Sequence, residues 1–142
     1  MLSEEEKLQA LVGQMNMIEA YLNDIGSKEA AVGRLMEEGR SAIDAIRNVS
    51  GADQSQTLMP IGIGVYMRAA VASGDKLLIS IGSGVAVEKS REDAISYVES
   101  RVKELEVALR SMFAQKQELE ARMEQTRAEV NALAQKLRSK SG

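Results

Sequence analysis

The sequence predicts an α+β chain in which two long helices form an antiparallel coiled coil and are joined by two β-hairpins. Three observations carry this. Residues 8–46 and 95–137 each keep seam residues, mostly apolar, at alternating spacings of three and four, the signature of a coiled-coil seam. Between them, Ile61-Gly62-Ile63-Gly64-Val65 recurs twenty positions later as Ile81-Gly82-Ser83-Gly84-Val85. Each copy leads into a short alternating run, which reads as a strand after a glycine bend.

The first element covers residues 1–48. Leu8, Leu11, Met15, Ile18, Leu22 and Ile25 start its seam, and Glu29, Val32, Met36, Gly39, Ile43 and Ile46 continue it. Glu29 puts a charge on the seam and Gly39 a hole. Gly13, Gly26 and Gly33 also fall in the helix, and each interior Gly costs roughly 1 kcal/mol relative to Ala. A helix so punctuated needs a partner to be stable.

That partner occupies residues 90–142. Ser90-Arg91-Glu92-Asp93 reads as a helix start, with a Ser cap and acidic residues in the first turn. Its seam runs from Ile95 to Leu137, broken only by Lys116 and Thr126, and it holds no Gly or Pro up to an expected end near Ser139. At 1.5 Å per residue each helix is roughly 70 Å long.

Residues 49–89 read as a linker and two hairpins. Val49–Gln56 is polar and reads as the linker, and Thr57–Met59 as a short strand. Val65–Val71 and Lys76–Ile81 alternate as strands, separated by an Ala72-Ser73-Gly74-Asp75 turn, and Val85–Lys89 is the last strand. If the helices leave the sheet side by side, Leu8 lies near Asn131, Leu11 near Ala128 and Gly26 near Phe113, whose ring could fill the space Gly leaves.

Composition narrows the chemistry. The 142 residues include one Phe, three Tyr and no Trp, too few bulky rings for a deep core, and eight Met. Net charge is -3, which disfavours phosphate backbones as the main ligand. There is no Cys and no His, so disulfides, thiolate or imidazole metal ligands and the usual neutral-pH base are excluded. The acidic start does not read as a signal peptide, and the apolar stretch Leu58–Ala72 is too short and interrupted to span a bilayer. The expectation is a soluble cytoplasmic protein without cofactor or metal.

The glycine pairs do not form a nucleotide site. A dinucleotide fingerprint needs a third Gly where Met67 and Val87 stand, followed by a helix rather than a strand, and no Gly-Lys-Ser/Thr tripeptide exists. Carboxylate pairs such as Glu37-Glu38 fall on helices, where they are solvated or serve the helix dipole. Catalysis is not expected. Met36 and Met112 read as seam filling. Met15 and Met123, nearer the free ends, suit either core or an adaptable apolar surface.

The layout resembles the alpha-class subunit of prefoldin. The most specific stretch is Lys76-Leu77-Leu78-Ile79-Ser80-Ile81-Gly82-Ser83-Gly84-Val85-Ala86-Val87-Glu88-Lys89, which is similar to the family's strand, glycine turn and strand before the second helix. Pro60-Ile61-Gly62 resembles the end of the family's first strand, and two hairpins point to the alpha rather than the beta class. The resemblance implies a hexamer of two alpha and four beta subunits, whose strands join in an intersubunit β-barrel. It implies ATP-independent capture of unfolded polypeptides at the coiled-coil tips and delivery to a group II chaperonin, with no nucleic acid or membrane as partner.

From position and seam pattern, the client-contact candidates are Leu2, Leu8, Leu11, Val12, Met15, Met123, Val130, Leu133 and Leu137. The oligomerisation candidates are Ile61, Gly62, Gly64, Val65, Met67, Ile79, Ile81, Gly82, Gly84, Val85 and Val87. The alternative is a homomeric coiled-coil scaffold or filament subunit.

Overall fold

The computed structural model describes residues 2–48, 54–72, 74 and 76–141. The order is α1 (Glu4–Asn48), β1 (Gln54–Gly62), β2 (Val65–Ala72), β3 (Leu77–Gly82), β4 (Val85–Lys89) and α2 (Arg91–Ser141). Both helices begin on a serine cap. Ser3 Oγ accepts the Glu6 N–H and Ser90 Oγ accepts the Asp93 N–H, each at 3.2 Å. Acidic first turns and basic last turns complement both helix dipoles. The second helix continues to Ser141, past the expected end at Ser139. Lys136 and Lys140 in its last turns both bind Glu4, which anchors those turns.

Packing divides the chain into two compact units. The first comprises Met1–Arg34 with Glu106–Gly142. Here Ile18, Ile25, Met123 and Thr126 are buried, and the remaining seam positions of both helices are half-buried. Two side chains that break the seam separately in the sequence meet in space: Lys116 Nζ lies 3.5 Å from Glu29 Oε1. A charge facing a charge keeps the register that two opposed apolar layers would leave free to slip.

That register corrects the expected pairing. Leu11 shares a groove with Ala132 and Leu133, about one turn beyond Ala128. Phe113 is 54% exposed, and a Cβ built on Gly26 would meet nothing within 4 Å. Phe113 therefore does not fill the space at Gly26. It follows the seam residue Met112 and points off the seam.

The second unit is Leu35–Leu105. Met36, Ile43, Ala94 and Val102 are buried, and Arg47 bonds Glu99 across the two helices at 3.2 Å. The hole expected at Gly39 is filled by valines. A Cβ there would stand 2.7 Å from Val102 Cγ2 and 3.6 Å from Val98 Cγ1. Gly39 is thus the one glycine of α1 that close packing requires.

In the same unit β1 pairs antiparallel with β2 and β3 with β4, as two separate two-stranded sheets. β1 is longer than the expected Thr57–Met59. Gln54, Ser55 and Gln56, read as linker, pair with Ala72, Val71 and Ala70, because a backbone ladder needs donors and acceptors rather than apolar side chains. The rest of that linker, residues 49–53, lies outside the described residues. So do Ser73 and Asp75 of the expected turn, of which Gly74 is in a turn.

The duplicated motif folds twice in the same way. Ile61 is the extra residue between the Pro60–Tyr66 and Gly62–Val65 pairs, and Ile81 that between Ser80–Ala86 and Gly82–Val85. Both are bulges. The bends follow with positive φ at both central residues: 50° and 75° at Ile63 and Gly64, 53° and 76° at Ser83 and Gly84. This is the type I′ pattern, whose twist matches the strands it joins.

Candidate functional site

Two regions of the described residues gather apolar side chains at the surface. The first is the pair of hairpins. Ile61, Val65, Met67, Ile81 and Val85 are more than half exposed, Val87 is exposed, and Ile79 is half-buried. Cross-strand pairing puts Met67 beside Met59 and Ile79 beside Val87 on single faces. Gly62, Gly64, Gly82 and Gly84 shape the bends and offer no side chain. Among the described residues each strand neighbours one other strand, so each hairpin has two outer edges. Sequence reasoning missed Leu58, Tyr66 and Leu78, also largely exposed. Leu78 was legible as the outward partner of the Leu77-Ile79 alternation.

The second surface lies in the helical unit that carries the chain ends. A groove of about 600 Å³ is lined by Leu2, Lys7, Ala10, Leu11, Gln14, Glu129, Ala132, Leu133 and Lys136. Its floor is the seam pair Leu11 and Leu133. Its width comes from Ala10 and Ala132, which flank the seam and have only a methyl group each. Further along the same flank, Asp24 and Glu118 take the equivalent heptad positions and the lining becomes polar. The alanines were the missed signal: two small residues flanking two seam leucines, one on each helix.

Of the expected contact residues, the groove brings together Leu2, Leu11 and Leu133. Leu2 is 57% exposed, and Val12 is exposed on the other flank. Leu8, Met15, Val130 and Leu137 are half-buried in the seam. Met123 is only 9% exposed and packs as core, so it offers no open surface. Its distance from the chain end leaves it a fully formed layer around it.

Glu4 closes one end of this region. Its two carboxylate oxygens bind Lys136 Nζ at 2.9 Å and Lys140 Nζ at 3.1 Å. Hydrogen bonds from Lys136, and then from Lys140, hold its carboxyl below the usual carboxylate range. All backbone groups lining the groove belong to helices except those of Leu2. The backbone of the groove therefore has little directional hydrogen bonding to offer. Among the described residues, no helix is long and apolar enough to cross a membrane.

Comparison with known proteins agrees with this architecture. A family model described as "Prefoldin subunit" matches residues 4–136. A prefoldin subunit alpha of Nitrosopumilus maritimus is 40% identical over 92% of this chain and 90% of the relative. One from Methanoregula boonei is 36% identical over 87% of this chain and 81% of the relative. Among solved structures, the prefoldin beta subunit from Thermococcus strain KS-1 superposes with a TM-score of 0.61 at 17% identity, covering 93% of this chain and 96% of that one. Filamentous PFD from Methanocaldococcus jannaschii superposes with a TM-score of 0.56 at 21% identity, covering 88% and 98%. At these identities the two structures share the fold.

Proposed function

The chain belongs to the prefoldin family, and from that premise we propose that it is the alpha-type subunit of a cytoplasmic hexamer with four beta-type chains and a second alpha copy. In this reading the complex captures unfolded polypeptide at its coiled-coil tips without ATP and passes it to a group II chaperonin. The groove built on Leu11, Leu133, Ala10 and Ala132 carries the reading. An unfolded chain offers apolar side chains in no fixed pattern, and a groove with few directional groups accepts many of them. The hairpins supply the assembly: unpaired strand edges and exposed Ile, Val and Met suit strand pairing between subunits, and two-stranded sheets are marginal alone.

The test has two arms. Mixing the protein with a beta-type subunit should give one species of hexamer mass by light scattering, and failure to bind such a subunit sinks the assignment. The complex should suppress aggregation of a denatured client without ATP. Removal of residues 1–14 and 130–142 should abolish that suppression, and retained suppression would move the site away from the tips. A homomeric scaffold or filament is the other reading of the same hairpins. It would be favoured if the protein alone formed long, polydisperse assemblies that a beta-type subunit left unchanged.

A further inference from the structure

The two helices are not mechanically alike. α2 runs from Arg91 to Ser141 without a Gly or Pro. α1 carries Gly26 and Gly33, seven residues apart, and packing requires neither: a Cβ at either would meet nothing within 4 Å. Between them sits the charged layer. Glu29 is mostly covered, its Oε1 is buried and accepts no hydrogen bond from the described residues, and Lys116 Nζ lies 3.5 Å from it. Three weakening features thus fall in one heptad of α1: two residues that favour the unfolded backbone, and a polar layer in place of an apolar one. The segments around it are better held, with Ile18 and Ile25 buried before it and Met36 after it.

We propose that residues 26–33 form a yielding segment, at which α1 bends and parts from α2 while α2 stays helical and straight. The charged layer restores the register on closing, since Glu29 faces the cation of Lys116. This yielding is a property of the chain itself, whether or not it captures clients. If it does, a one-sided joint lets the groove-bearing ends spread around clients of different size without unfolding either helix.

Hydrogen exchange on the full chain tests this. Amides of residues 22–36 should exchange at least tenfold faster than those of residues 109–123 on the facing helix. Gly26→Ala with Gly33→Ala should slow the α1 segment by about fivefold for each glycine replaced, the difference in helix propensity expressed as an opening equilibrium. Both alanines fit, so folding should survive. Gly13→Ala, also in open space, is the control and should leave residues 22–36 unchanged. Glu29→Leu with Lys116→Leu should slow exchange in the same heptad on both helices. Equal exchange of the two segments in the unaltered protein would overturn the proposal. So would Gly13→Ala slowing residues 22–36 as much as the pair does, or a faster heptad in the leucine variant.

Discussion

The hairpins and the tip groove both expose apolar side chains, but they expose different backbones. At the hairpins each described strand has an outer edge of backbone N–H and C=O groups, with Ile, Val and Met exposed along the strands. Such a surface accepts only a partner whose strand matches in direction and register. In the groove the backbone, that of Leu2 apart, belongs to helices, and what remains is a trough of leucine and alanine side chains edged by Lys7, Gln14, Glu129 and Lys136. Such a surface accepts anything apolar that fits. One chain thus offers two surfaces of different chemistry, one on strands and the other between helices.

The strongest way to break this contrast is at the bends. Gly64→Val with Gly84→Val forces two β-branched residues into φ near 75°, at about 1–3 kcal/mol each. Assembly with a beta-type subunit should be lost by light scattering, while circular dichroism should still report long helices. Intact assembly would mean that the bends do not set the partner surface.

Next in size is Gly39→Ala. The methyl would stand 2.7 Å from Val102 Cγ2, on a β-branched side chain with little rotamer freedom. Overpacking of about 1–3 kcal/mol should outweigh the roughly 1 kcal/mol gained in helix propensity. The melting temperature should fall, whereas Gly33→Ala should raise it. A rise at both positions would show that the Gly39 layer is loose.

Ala132→Glu should act on the other surface alone. A carboxylate in the groove should weaken client capture several-fold, since its hydration must be given up when an apolar side chain is seated there. Hexamer mass should be unchanged. Equal loss of assembly and capture would show that the two surfaces are coupled.

The smallest effect concerns Glu4. Its carboxyl is held below the ordinary range by Lys136 and Lys140, so its contribution is complete above that range and is lost as pH falls through the lowered value. Protection of the helix-end amides, taken relative to their intrinsic exchange at each pH, should fall on acidification into the low-pH window, and Glu4→Gln should show that lower protection already at neutral pH. Both lysines are exposed to solvent, so the difference should be slight and should shrink in high salt.

Much of this architecture was legible in the sequence because it follows from local rules. Ser3 and Ser90 cap as their neighbours require, every seam position is covered, and the two Ile-Gly-x-Gly-Val copies bend alike. The register between the helices was not legible. A seam of repeating apolar layers fits almost as well one turn away, and what decides it is a pair of residues, Glu29 and Lys116, that each look like a flaw alone. The extent of β1 was hidden for another reason: Gln54–Gln56 joins the ladder through backbone groups that polar side chains do not advertise. The groove was half legible. Leu11 and Leu133 announce themselves as seam, but Ala10 and Ala132 create space by being small, and an absence of bulk becomes a feature only once the two helices face each other.

The absence of cysteine allows the division between the two surfaces to be probed directly. A single thiol introduced by Ala132→Cys, or by Leu78→Cys on a hairpin, can carry a photo-crosslinker in the assembled complex. With a denatured client present and no ATP, the label at position 132 should join the client and the label at position 78 should join only neighbouring subunits. Client adducts at position 78 with none at position 132 would contradict the account.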